Sequence, residues 1–192
     1  MQPIAEGVFR RTPQGVTITR HRVKLVPCDL EWPKQFAALR ATLEEIFPPP
    51  TYVIEHIGST AIGGIDAKPV IDIMLGAPTL EEIESGIEHL AAIGFQYVDA
   101  FNALMPQRRY FTYPATRPHI AHLHAVVNDK LFWRDHLLFR DTLRKSAALA
   151  QEYEALKRAL AIEFSYDPQT YTDAKALFIQ SVLNRARISP PQ

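Results

Sequence analysis

The chain has 192 residues, 47% of them hydrophobic and 22% charged, with 21 basic residues set against 21 acidic ones. That supplies one sizeable core, and a formal net charge of zero argues against a broad electrostatic surface for nucleic acid or an anionic membrane. Cys28 is the only cysteine, which excludes an intramolecular disulfide and a cysteine-rich zinc site. No apolar run approaches the roughly 20 residues that a membrane-spanning helix needs, so a cytoplasmic protein is expected.

Residues 1–21 are polar and carry Pro3, Gly7, Pro13 and Gly15, which reads as an arm or hairpin ahead of a domain over 22–188. Val23–Val26 reads as a short strand before Pro27. Trp32, Phe36, Leu39, Leu43 and Ile46 recur every three or four residues and predict an amphipathic helix, stopped by Pro48-Pro49-Pro50. Strands are expected at Tyr52–Ile57 and Pro69–Leu75. Between them lies Gly58-Ser59-Thr60, a turn opening a short helix. Thr79 and Glu82 form a capping box for a helix that Gly94 ends. Phe95–Val98, Arg108–Tyr113 and His119–Val127 follow as strands, the last two joined by Pro114–Pro118. Helices are expected near 131–145, 147–163 and 168–187, the last with Asp167 as cap and Pro168 in its first turn. The order predicts an α+β fold, with a mixed-sheet core over 22–128 and a helical C-terminal part over 129–188.

Several side chains in this framework carry chemistry. A Gly-Ser turn at Gly58 and Ser59, with Thr60 behind it, can hold phosphates through backbone N–H groups and a hydroxyl. Lys68 stands at the mouth of the following loop, where a cation meets phosphate oxygens. In the next strand Ile71, Ile73 and Leu75 share an apolar face, which turns Asp72 outward toward the Gly-Ser turn. Asp72 is a candidate metal ligand. His122 and His124 share one face of a later strand and are candidates for the same metal. Glu55 is a second candidate ligand or a general base, and equally a partner for a buried arginine. Arg140, four residues from Arg144 and on the face of His136, is a candidate anion contact. Tyr171 and Lys175 are likewise four apart.

Taken in order, these segments resemble the GrpB-like family of the DNA polymerase beta-like nucleotidyltransferase superfamily. The resemblance spans roughly Val23 to Arg187. It rests on Leu25-Val26-Pro27 with Glu31-Trp32-Pro33, Glu55-His56-Ile57-Gly58-Ser59-Thr60, Lys68-Pro69-Val70-Ile71-Asp72-Ile73, His122-Leu123-His124, Leu138-Phe139-Arg140-Asp141, and Tyr171-Thr172-Asp173-Ala174-Lys175. It implies a small mixed sheet with packed helices, and an enzyme acting on a nucleotide or another phosphorylated small molecule with a divalent metal, Mg²⁺, Mn²⁺ or Zn²⁺. One position departs from the superfamily pattern. Met74 stands where a second acid pairs with Asp72, and a thioether cannot hold Mg²⁺. A non-catalytic ligand-binding module and a metal-dependent phosphohydrolase are therefore the alternatives.

Overall fold

A computed structural model describes residues 7–11 and 17–188, with side chains described from residue 22 onward. The rest of the expected arm at 1–21 lies outside the described residues. Its described parts, β1 (Gly7–Arg11) and β2 (Thr17–His21), pair antiparallel with one another. The segment from Val23 to Val26 is extended but is not a strand of the sheet. Val26 bridges Ala67 through two backbone hydrogen bonds of 2.9 and 3.0 Å, and the Val23 N–H reaches the Ser165 carbonyl. Pro27, which has no N–H to donate, ends the pairing.

Helix α1 (Trp32–Glu44) begins with Pro33 in its first turn, where the missing N–H costs nothing. Its apolar stripe buries Trp32 and Leu43. β3 (Val53–Ile57) and β4 (Ile71–Ala77) pair antiparallel, separated by a single 3₁₀ turn at Ser59–Ala61. The helix expected after Thr79 is two: α2 (Leu80–Ser85) and α3 (Ile87–Ala92). Gly86 divides them. It is a weak helix former, and Phe47 packs so close that a Cβ there would lie 2.5 Å from its ring. β5 (Gln96–Tyr97), β6 (Arg108–Tyr113) and β7 (Ala121–Val127) complete a five-stranded sheet of order β3-β4-β7-β6-β5. Only β4 and β7 run parallel, so the sheet is mixed.

The C-terminal part comprises α4 (Leu131–Lys145), α5 (Ala147–Glu163), α6 (Pro168–Asp173) and α7 (Ala176–Ile188). The sequence predicts one helix over 168–187; the structure breaks it after Asp173. Asp167 caps α6 by accepting from the Thr170 N–H at 3.1 Å, as expected.

The sheet separates two layers. Ile71, Ile73, Leu75, Phe111, Ala121, Leu123 and Ala125 form the larger core with Trp32, Leu43, Ile83 and Leu90 of the first three helices and Phe47 just beyond α1. The opposite face carries Asp72 and Met74 in register with His122 and His124, and Tyr110 opposite His124. Part of this face is closed by α4: Ile57, Met74 and Val126 pack against Trp133. The architecture is thus α+β, a five-stranded mixed sheet with helices on both faces.

Candidate functional site

The carboxylate of Asp72 anchors one cleft. The strand register places Asp72 beside His122 on β7 and opposite Ile57, the last residue of β3. Gly58 then turns the chain over it with φ +70° and ψ −171°, a backbone region essentially confined to glycine. A Cβ on Gly58 would lie 2.3 Å from Asp72 Oδ2, so only a glycine lets this turn meet the carboxylate. The outward orientation of Asp72 toward Gly58-Ser59 therefore holds. Ser59 hydrogen-bonds the buried hydroxyl of Tyr153 from α5, whose pKa burial pushes up to about 12.

On the other side stand the imidazoles. Asp72 Oδ1 lies 3.3 Å from His122 Nδ1 and 3.8 Å from His124 Nε2. The Tyr110 ring sits 5.5 Å from the ring of His122 and 5.3 Å from that of His124. Arg108 reaches His124 Nδ1 at 3.0 Å. A guanidinium only donates, so Nδ1 accepts and the proton of a neutral His124 sits on Nε2, facing Asp72. Burial first lowers the His124 pKa to about 4, against the opposing pull of Asp72. Burial also works to raise the Asp72 pKa, but the hydrogen bonds from His122 and His124 prevail and hold the carboxyl well below the usual range.

Two ammonium groups complete the cleft. Lys68 Nζ lies 4.3 Å and Lys175 Nζ 4.7 Å from the centre of the Tyr171 ring. The break between α6 and α7 brings Lys175 there. Both lysines are within electrostatic reach of Asp72, and among the described residues neither has a carboxylate within 4.0 Å. Burial, then the neighbouring Lys175, lowers the Lys68 pKa to about 8. Burial also lowers that of Lys175. Lys157 is buried nearby, donates to the Asp66 carbonyl and has its own pKa lowered to about 8, chiefly by burial. The three ammonium groups crowd one another, with Asp72 acting on Lys68, Asp72 and Asp173 on Lys175, and Glu154 and Asp66 on Lys157.

Three expected site residues belong to a different cluster. Glu55 Oε2 accepts from Arg140 at 2.6 Å, and the same guanidinium donates to the His56 carbonyl at 2.9 Å and to Asp141 at 2.7 Å. Arg140 is 8% exposed and fastens α4 to the edge strand β3. The reading of Glu55 as the partner of a buried arginine is the one realised. The Thr60 hydroxyl meets His56 Nε2 at 2.9 Å on the opposite face of the sheet, where His56 stacks on Phe36 with ring centres 4.7 Å apart. Glu55, Thr60 and Arg140 are thus held by protein partners away from Asp72.

Met74 lies on the face of Asp72 but is 0% exposed, packed among Ile57, Val126 and Trp133. The position of a second acid is filled by core. Sequence reasoning missed Tyr153, which fell within the helix expected near 147–163, and Arg108 and Tyr110, read only as strand residues. Lys175 and Tyr171 carried a signal in their four-residue spacing, which became a site only with the turn of α6.

A family model described as GrpB protein matches residues 22–185. The glutamate-rich protein GrpB of Alkalihalophilus pseudofirmus is 31% identical over 176 residues, covering 87% of this chain and 97% of that protein. The crystal structure of conserved protein GrpB from Enterococcus faecalis superposes with a TM-score of 0.76 at 27% identity, over 85% of this chain and 96% of that one. A weaker likeness, TM-score 0.46 at 16% identity over 66% of this chain and 38% of the other, joins it to Cid1, described as having RNA terminal uridylyl transferase activity. The chain belongs to the GrpB family.

Proposed function

We propose that the Asp72 cleft binds the phosphates of a nucleotide or another phosphorylated small molecule and transfers a nucleotidyl group from it. The observation that carries this reading is the pair of half-buried ammonium groups, Lys68 and Lys175, on the ring of Tyr171 and within electrostatic reach of Asp72, with no carboxylate closer than 4.0 Å to either among the described residues. The Gly58-Ser59 turn supplies backbone N–H groups at the same place. Phosphates seated there neutralise both lysines and lie against the carboxylate.

A divalent metal belongs to this proposal in one form only. Among the described residues no three His, Cys, Asp or Glu side chains are arranged to hold an ion. His124 directs an N–H, not a lone pair, at Asp72. With Met74 buried, paired carboxylates for two ions are lacking on β4. What fits is a single Mg²⁺, Mn²⁺ or Zn²⁺ carried in with the phosphates and held by Asp72, with His122 as its neighbour. Such an ion would draw charge from the phosphoryl oxygens. His122, whose Nδ1–H faces Asp72, keeps the Nε2 lone pair free to take a proton from an acceptor hydroxyl.

The test is pyrophosphate release from nucleoside triphosphates with Mn²⁺ across a panel of hydroxyl-bearing acceptors. Activity that Asp72→Asn abolishes supports transfer. The buried Met74 favours a second reading, a ligand-binding module without chemistry. Calorimetry showing tight nucleotide binding with no pyrophosphate from any acceptor would establish that module and remove the transferase.

A further inference from the structure

A second cavity, of about 800 Å³, opens between α4, α7 and the end of β7. That is the size of a site for a small organic molecule. Val126, Val127, Leu131, Phe132, Ile179 and Leu183 make most of its wall. The charges around it are few and mostly engaged. Asp135 is ion-paired with Arg187 from the end of α7, and Lys130 is exposed at the rim. Leu131 is exposed beside it, a large apolar side chain at the opening.

One wall group has a chemical direction. His136 lines the cavity and stacks on Phe132, ring centres 4.1 Å apart. Its Nδ1 lies 2.8 Å from the Phe132 carbonyl, an atom that only accepts, so Nδ1 carries the proton and Nε2 keeps its lone pair. Burial lowers the His136 pKa and favours this neutral form. The Phe132 ring continues to His124, 6.5 Å away, and His136 lies within electrostatic reach of Asp72 and His124. The cavity therefore adjoins the Asp72 cleft through two stacked rings.

We propose that this cavity is a binding site for a neutral small molecule with a flat apolar body and a hydroxyl group, which stacks on Phe132 and donates to His136 Nε2. It is separate from the phosphate site at Lys68 and Lys175, from which the rings of Phe132 and His124 divide it. An aliphatic chain would fill the volume but leave the stacked pair and the lone pair unused. A strongly charged compound would bury its charge without a partner.

2-Naphthol and naphthalene serve as probes, followed by tryptophan fluorescence and by amide chemical shifts of the full chain. The expected result is saturable binding of both, with 2-naphthol at least about tenfold tighter, one charge-free hydrogen bond to a buried acceptor. His136→Phe keeps the stacking wall and should bind both probes equally. Ile179→Trp fills the cavity and should bind neither, with its amide spectrum otherwise that of the folded chain. Absence of saturable binding, an unaltered hydroxyl preference in His136→Phe, or wild-type affinity in Ile179→Trp would each overturn the site. So would probe affinity that weakens as protein concentration rises, because a second copy of the chain would then be the occupant. Lys175→Ala should leave probe binding unchanged while weakening nucleotide binding. Failure of the phosphate site and failure of this one are therefore read separately.

Discussion

Asp72 and Met74 stand two residues apart on one strand, on one face, beside histidines in matching register. The Met74 half is dry: Trp133 and Val126 close over it, and Gly76 beyond it is bare so that the Trp133 ring can lie within 2.7 Å of where a Cβ would stand. The Asp72 half is open and charged, its side chain 31% exposed and surrounded by imidazoles and ammonium groups. The strand is the same in both halves, and the difference is where α4 docks. A pattern of alternating side chains assigns a residue to a face, but the next layer decides whether that face is site or core.

The strongest way to break this contrast is to place the missing acid. Met74→Asp buries a carboxylate against Trp133 with no counter-charge. It should lower stability by roughly 3–5 kcal/mol, the cost of an uncompensated buried charge. Met74→Leu, which preserves volume and polarity, should cost under about 1.5 kcal/mol. Urea denaturation of both variants decides it. Near-equal stability of Met74→Asp and wild type would mean the half is not closed.

The open half is tested at Gly58. Gly58→Ala puts an L side chain at φ +70° and drives a methyl into the Asp72 carboxylate. The backbone strain alone is worth about 1–3 kcal/mol. The displaced carboxylate should cost the metal dependence of nucleotide binding as well. A destabilised variant that still binds nucleotide with Mn²⁺ as wild type does would confine Gly58 to folding.

Much of this contrast was legible in the sequence, and the reasons differ by residue. The outward Asp72 followed from Ile71, Ile73 and Leu75, because strand period fixes faces. The pairing of His122 with Asp72 needed only β4 and β7 to be neighbours. Burial of Met74 was not legible, since nothing local says that Trp133, nearly 60 residues on, closes over it. Which arginine pairs with Glu55 was not legible, because isolated charges carry no mark of their partners. Their 2.6 Å ion pair spans 85 residues of sequence. Lys175 entered the cleft through a helix break that apolar periodicity concealed.

Acid sharpens the comparison by sampling both faces. His56, against α1, and His124, in the cleft, each have a pKa lowered from 6.5 to about 4, burial being the largest cause in both. Folded pKa values below the unfolded value mean that the unfolded chain takes up protons first. Stability should therefore fall as pH drops from about 6.5 to about 4, by about 2–3 kcal/mol for each imidazole. Asp72, whose pKa is lowered, contributes stability that is lost only at lower pH. His56→Gln keeps a hydrogen-bonding partner for Thr60 and should remove its share of the slope. Unfolding free energies at pH 4.5 and 7 measure this, and an unchanged slope would show that His56 is protonated in the folded chain.

The smallest expected effect is on affinity at high pH, and it bears on the lysines alone. Lys68 has its pKa lowered to about 8, by burial first and then by Lys175. Phosphate attraction needs the ammonium form, so affinity for inorganic pyrophosphate should decline as pH rises through about 8. Once Lys68 is fully neutral the loss approaches about tenfold, the share of one charge-assisted hydrogen bond. Lys68→Arg keeps its charge throughout this range and should flatten the decline, whatever it does to the affinity at neutral pH. Calorimetric titrations between pH 7 and 9.5 separate the outcomes. A decline of equal steepness in Lys68→Arg would assign it to Lys175 or Lys157, the other ammonium groups whose pKa values are lowered chiefly by burial. Lys175 would leave the anion in the same cleft, whereas Lys157 would place it deeper along α5 than the Gly58 turn.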